Sequence, residues 1–143
     1  ARNITEIASE LKYRYGRVTL APLEDMGTER AEELLVSLPG VGIKTARCVL
    51  MYSLDRSVFP VDAHCYRITR RLQWIPQDTP ITKCVADNIQ DGIPRRLRKD
   101  LHIGMVLLGR NYCAPKKPLH RECPILEFCP TGKAALTSNK NEL

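Results

Sequence analysis

The stretch Leu38-Pro39-Gly40-Val41-Gly42-Ile43-Lys44-Thr45-Ala46 limits the fold more than any other, because it joins two helical patterns through a very short connection. Before it, Ala31, Leu34, Leu35 and Leu38 share one helical face; after it, Ile43, Ala46, Val49 and Leu50 share another. The pattern predicts a helical hairpin. Gly40 and Gly42 can take positive φ and leave successive N–H groups pointing outward at a helix N-terminus, where an anion is favoured. Gly40, Val41, Gly42, Ile43 and Thr45 are therefore candidate phosphate contacts. A plain helix-turn-helix connector would share this pattern. Lys44 argues against it: its ammonium stands in the first turn of the second helix, facing the positive end of the macrodipole, a costly place for a purely structural lysine.

Eighteen residues beyond Lys44 stands Asp62, in Phe59-Pro60-Val61-Asp62-Ala63-His64, a carboxylate at the start of another helical pattern. Proline biases Phe59 toward an extended conformation, so Asp62 qualifies as an N-cap for a helix from Ala63 to Leu72. With both halves in view, the chain resembles the endonuclease III type of helix-hairpin-helix DNA glycosylase. The signature of that family is Leu-Pro-Gly-Val-Gly-x-Lys-Thr-Ala followed by Val-Asp-x-His; both parts stand intact and correctly spaced here, and the resemblance extends from residue 1 to about residue 130. The resemblance implies an all-α partial helical barrel over residues 1–110, an iron-sulfur-type loop over 111–130 and a polar tail over 131–143. Family members carry further helices ahead of this point, which complete the barrel and bear residues that wedge into the opened duplex. Without them, the apolar face of residues 4–15 is expected to be partly exposed, which implies a partner chain, a dimer or marginal stability.

The chain has 143 residues, enough for one domain with a single core, and no apolar run near the roughly 20 residues of a membrane span. It reads as soluble and intracellular, in cytoplasm, nucleoid or nucleus, with no membrane partner. A net charge of +6 suits a polyanion such as double-stranded DNA, although a solvated basic surface carries the same charge.

In chain order, a capping box at Asn3 to Glu6 opens an amphipathic helix that ends at Gly16. The second hairpin helix should run to about Leu54. The helix after Asp62 carries Arg67, Arg70 and Arg71, which either follow phosphates or face water; Arg67 is the candidate DNA contact among them. Trp74 reads as core. Thr79-Pro80 reads as an N-cap with proline in the first turn, opening a helix to Gly92. Arg95, Arg96, Arg98 and Lys99 then precede a last helix, Leu101 to Leu108. Cys48, Cys65 and Cys84 fall in helical patterns and read as small buried hydrophobes.

The other cysteines crowd one loop in the order Cys113, six residues, His120, two residues, Cys123, five residues, Cys129. The family's cluster loop has this spacing with four cysteines, so the resemblance implies a four-iron four-sulfur cluster held by Cys113, His120, Cys123 and Cys129. Imidazole can replace thiolate on such clusters. Structural zinc suits a three-cysteine, one-histidine set equally well, and a loop held by packing alone is a third reading.

For function, the resemblance implies base-excision repair by a bifunctional DNA glycosylase and AP lyase. Its substrate is duplex DNA holding a damaged base, by family default an oxidised pyrimidine, or an abasic site. Lys44 would be the nucleophile, expected to be partly buried, and Asp62 the carboxylate that stabilises charge on the deoxyribose. The target base must leave the stack, with adjoining phosphates resting on the hairpin, often beside a monovalent cation. The alternative is a non-catalytic helix-hairpin-helix DNA-binding module with a structural metal loop.

Overall fold

The computed structural model describes residues 2–138, and among them there is no β-strand; the chain is all-α. The helices are α1 (Arg2–Tyr15), α2 (Thr28–Val36), α3 (Ile43–Ser53), α4 (Ala63–Arg71), α5 (Lys83–Asp91), α6 (Arg98–Asn111) and α7 (Pro130–Ser138). Short 3-10 turns at Ala21–Leu23, Arg95–Leu97, His120–Glu122 and Leu126–Phe128 complete the regular structure. No helix among the described residues is long and apolar enough to cross a membrane. The chain divides into two compact units, Ala1–Pro60 and Val61–Leu143. That division differs from a helical domain ending at residue 110, because the cysteine-rich loop packs with α4 and α7 as part of the second unit.

In the first unit, the hairpin helices α2 and α3 meet through the faces their spacing predicts. Ala31, Leu35, Leu38, Ala46 and Leu50 are buried in one cluster with Leu11, Leu23, Met51 and Val58, and Leu34 and Val49 pack at its edge. Each fully buried leucine contributes about 1.5–3 kcal/mol relative to exposure, so α2 and α3 are held mainly by this shared face. From α1, Leu11 enters the cluster while Ile7 and Tyr15 pack against it. Ile4 remains 74 % exposed, as expected for a face short of partners. The capping box at Asn3 is not formed, since α1 already begins at Arg2. Arg56 closes the unit by donating to the carbonyls of Glu24 at 2.8 Å and Met26 at 3.2 Å. The buried Arg47 pairs with Glu32 at 2.7 Å.

In the second unit, α4 packs on α6 and α7. Cys65, Ile68 and Thr69 form the inner face of α4, opposite the buried Arg98, His102, Met105 and Gly109 of α6. Gly109 marks the close approach: a Cβ there would lie 2.8 Å from the Cβ of His64.

Three expectations fail here for local reasons. Helix α5 starts at Lys83, capped by Thr82, whose hydroxyl accepts from Val85 N–H at 3.2 Å; Thr79 instead offers its carbonyl to the Tyr66 hydroxyl. Trp74 follows the left-handed Gln73 at the end of α4 and is 51 % exposed rather than core. Cys84 is exposed and Cys48 half-buried, leaving Cys65 as the buried member of that set. The segment read as a polar tail begins with α7; residues 139–143 lie outside the described residues.

Candidate functional site

The hairpin is built from main-chain bonds. After α2 the Leu38 N–H donates to Leu35 O, and the Val41 N–H donates to Leu38 O, each at 3.1 Å. Gly40 makes the reversal at φ +72, and a Cβ on it would also sit 2.9 Å from Asn3 Cγ of α1. The backbone therefore favours glycine, and a Cβ would in addition make the exposed Asn3 side chain move aside. Gly42 departs from expectation: its φ is −92 and its ψ 170, an extended N-cap. Added to Gly42, a Cβ would meet nothing within 4 Å, so what a side chain there would obstruct is the space in front of the helix.

A glycine N-cap has no side-chain acceptor, so the first-turn amides of Ile43, Lys44 and Thr45 are uncapped by any side chain. Val41 spends its N–H inside the turn. Gly40, Gly42, Lys44 and Thr45 are exposed, and Val41 and Ile43 are half-buried. Lys44 is thus fully at the surface rather than partly buried, because the inward positions of α3 are taken by Ala46, Arg47, Leu50 and Met51. The structure brings these hairpin candidates together as one exposed, amide-rich helix start carrying a cation.

Asp62 caps α4 from an extended backbone, φ −87 and ψ −179, accepting from Cys65 N–H at 2.8 Å. Burial pushes its carboxyl up. The Cys65 N–H and thiol, with the fields of His102 and His64, outweigh that and leave it below the usual carboxylate value. The Cys65 thiol is pushed far up by burial and by the Asp62 charge, so it stays protonated as a donor. Its sulfur lies 3.5 Å from His102 Nδ1. A half-exposed carboxylate kept ionised and fixed at a helix start can stabilise positive charge on a bound group. The Cys65 and His102 support was not recognised in the sequence; the signal is the three-residue step from Asp62 to Cys65, the distance at which a cap meets its amide.

Arg67 does not present itself as a phosphate contact. Its Nε donates to Cys113 O at 2.8 Å, its Nη1 to Ala63 O at 3.1 Å, and its Nη2 to Gly109 O at 3.2 Å and His64 Nδ1 at 3.1 Å. One turn later Arg71 donates to Cys113 Sγ at 3.0 Å, Ala114 O at 2.9 Å and Pro115 O at 3.0 Å. These two arginines moor the start of the cysteine loop to α4, a use that their i, i+4 spacing permits and water-facing or phosphate readings both overlook.

Cys113, His120, Cys123 and Cys129 line one cavity under Ile68 and Leu108. Among the described residues no three histidine, cysteine or acidic side chains converge closely enough to hold a single ion. The donor chemistry nevertheless fits a sulfur-ligated group. Arg71 donates to Cys113 Sγ, and the Gly132 N–H donates to Cys129 Sγ at 3.3 Å, so two of the three sulfurs are held by donors at the cavity. Gly132 leaves the space open, since a Cβ on it would lie 3.5 Å from Cys129 Sγ and 3.2 Å from His120 Nδ1.

No family model matches the chain. Endonuclease III of Thermotoga maritima is 33 % identical over 129 residues, which cover 90 % of this chain and 55 % of that protein. DEMETER-like protein 2 of Arabidopsis thaliana is 31 % identical over 154 residues, covering 96 % of this chain and 12 % of that protein. Among solved structures, a non-covalent endonuclease III–DNA complex superposes with a TM-score of 0.78 at 27 % identity, over 95 % of this chain and 59 % of that chain. The chain thus spans about half the length of the endonuclease III relatives it matches. Sequence and fold agree in their likeness to the endonuclease III type of helix-hairpin-helix DNA glycosylase.

Proposed function

We propose that this chain carries the reactive half of a base-excision DNA glycosylase with associated AP lyase activity, with Lys44 as nucleophile and Asp62 as the charge-stabilising carboxylate. The observation that carries the reading is Lys44 itself, an exposed amine in the first turn of α3, directly behind a turn whose amides lack a side-chain cap. Ile43 and Thr45 amides, with the exposed Gly40 and Gly42, would receive a backbone phosphate, as a helix start favours an anion. A monovalent cation would join the phosphate there.

In the chemistry, positive charge develops on the deoxyribose as the C1′–N bond lengthens, and an ionised Asp62 lowers the energy of that charge. The Lys44 amine in its neutral form donates its lone pair to C1′, and the bonding pair of the C1′–N bond leaves with the base, which takes up a proton. Ring opening gives a Schiff base between Nζ and C1′. A proton then leaves C2′, the electrons form the C2′–C3′ double bond, and the 3′ phosphate departs, which nicks the strand. The damaged base must be extruded from the duplex to reach these groups. Oxidised pyrimidines are the proposed substrates.

Cys113, His120, Cys123 and Cys129 would hold a four-iron four-sulfur cluster. A set of three thiols and an imidazole suits such a cluster, on which imidazole can replace a thiolate. Such a cluster would supply structure, fixing the loop that bears Lys116, Lys117 and Arg121. A brown protein with broad visible absorption is expected; a colourless protein that releases zinc would refute the assignment.

The deciding experiment is borohydride trapping on an abasic-site oligonucleotide. A covalent adduct that disappears in Lys44→Ala supports the enzyme. Binding without an adduct reduces the chain to a DNA-binding module. Partner chains or a dimer that complete the barrel would appear in the same assay as activity restored on addition or at higher concentration.

A further inference from the structure

The first turns of α4 lead to a second concentration of charge, carried wholly by the unit from Val61 onward. Tyr66, Arg67, Arg70, Arg71, Gln77 and Pro115 line a hollow of about 330 Å³. Three guanidinium groups therefore share one rim. Among the described residues none of the three is paired with a carboxylate: Arg67 and Arg71 donate to carbonyls, the Cys113 sulfur and the His64 ring. Those partners fix the two side chains in place and leave their charge unneutralised.

Arg70 is different. Its guanidinium packs over the Tyr66 ring at 5.3 Å from the centroid, and its Nε is shut off from solvent with no hydrogen-bond partner among the described residues. A buried, charged donor without an acceptor is unfavourable, and folded proteins satisfy nearly all such groups. Tyr66 is itself held by its hydroxyl donating to Thr79 O, and the Gln77 amide donates to Arg70 O at 2.7 Å. The Tyr66 ring thus supports the Arg70 side chain and Gln77 holds its backbone, while its Nε stays without an acceptor.

We propose that this hollow is a second phosphate-binding site, in which an oxyanion is held beside the Arg70 guanidinium within the field of Arg67 and Arg71, and its arrival offers the enclosed Nε an acceptor once the side chain turns toward it. A guanidinium edge matches two oxygens of a phosphate in a way that an ammonium cannot. The same chemistry arrives either as a backbone phosphate of nucleic acid or as a free phosphate. The site does not depend on Lys44 or Asp62, so it stands or falls separately from the glycosylase reading.

The test follows the Arg70 Nε–Hε resonance of the ¹⁵N-labelled full chain, assigned by its absence in Arg70→Gln. Inorganic phosphate is titrated against chloride at matched ionic strength, followed by a short DNA duplex. A saturable shift with phosphate beyond that with chloride is expected, and phosphate affinity measured by calorimetry should fall about tenfold or more in Arg70→Gln. Arg70→Lys, which keeps the charge without the fork, should recover only part of it. A shift with duplex alone, together with a duplex-binding salt slope lowered by about one in Arg70→Gln, assigns the site to nucleic acid. A resonance unmoved by either probe, or moved equally by chloride, overturns the proposal.

Discussion

The hairpin and the arginine face of α4 are both basic stretches at helical spacing, yet they spend their charge differently. At the hairpin, Lys44 projects into solvent beside backbone amides that a glycine N-cap leaves without a side-chain acceptor. On α4, Arg67 and Arg71 have drawn in the carbonyls of Cys113, Ala114 and Pro115 and become part of the scaffold. A basic residue next to a loop rich in prolines is captured by that loop's unpaired carbonyls, since they have no helix or sheet to satisfy them. At a helix start the local groups are donors, and a side-chain ammonium finds no acceptor among them. Charge alone therefore does not say which basic stretch meets a polyanion.

The sharpest way to break this comparison is Lys44→Ala, which should abolish the borohydride-trapped adduct entirely while circular dichroism stays unchanged, because the side chain is exposed. A persisting adduct would transfer the nucleophile elsewhere. Next, Asp62→Asn should eliminate base excision and leave duplex affinity intact. Asparagine caps a helix about as well as aspartate, so the fold should survive; unchanged excision would end the proposed role.

The same residue carries a pH signature. Its folded pKa lies below the unfolded value of about 3.9, so the ionised cap stabilises fully above that value and the contribution is lost as pH falls through the lower folded value. Denaturant midpoints followed from pH 6 downward should show this loss in the wild-type chain and not in Asp62→Asn, pH 6 being roughly two units above the carboxylate range.

Smaller effects separate the two glycines and the two arginine uses. Gly40→Val should cost about 2 kcal/mol in denaturant unfolding, from the left-handed backbone and the Asn3 contact. Arg67→Gln should destabilise the second unit by about 1–2 kcal/mol and leave the salt slope of duplex binding unchanged; a slope lowered by about one would restore Arg67 as a phosphate contact. Gly42→Val should barely alter stability, as its Cβ meets nothing, and weaken duplex binding several-fold at fixed salt.

Much of this was legible in the chain because it is local. The hairpin faces, the N-cap at Asp62 and the helix ending before Gly16 rest on spacings of three and four residues and on backbone preferences, which tertiary context did not overrule. Misreadings arose where two local signals competed, as with Thr79-Pro80 and Thr82, both sound caps separated by three residues. Exposure of Trp74 and Cys84 was not legible, since periodicity says which residues share a face and not whether that face is covered.

Returning to the whole molecule, the sequence by itself determined an all-α chain, its hairpin, the identity of the candidate nucleophile and carboxylate, and the likeness to endonuclease III. Tertiary structure decided that Gly40 and not Gly42 carries the left-handed turn, that Lys44 is at the surface, and that Arg67 and Arg71 moor the cysteine loop while the Arg70 Nε stays without an acceptor. The reason is the range of the interactions. Capping and helical periodicity act within one turn of chain, whereas the loop groups of Cys113, Ala114 and Pro115 that hold Arg67 and Arg71 lie more than forty residues away and are known only once the chain has folded.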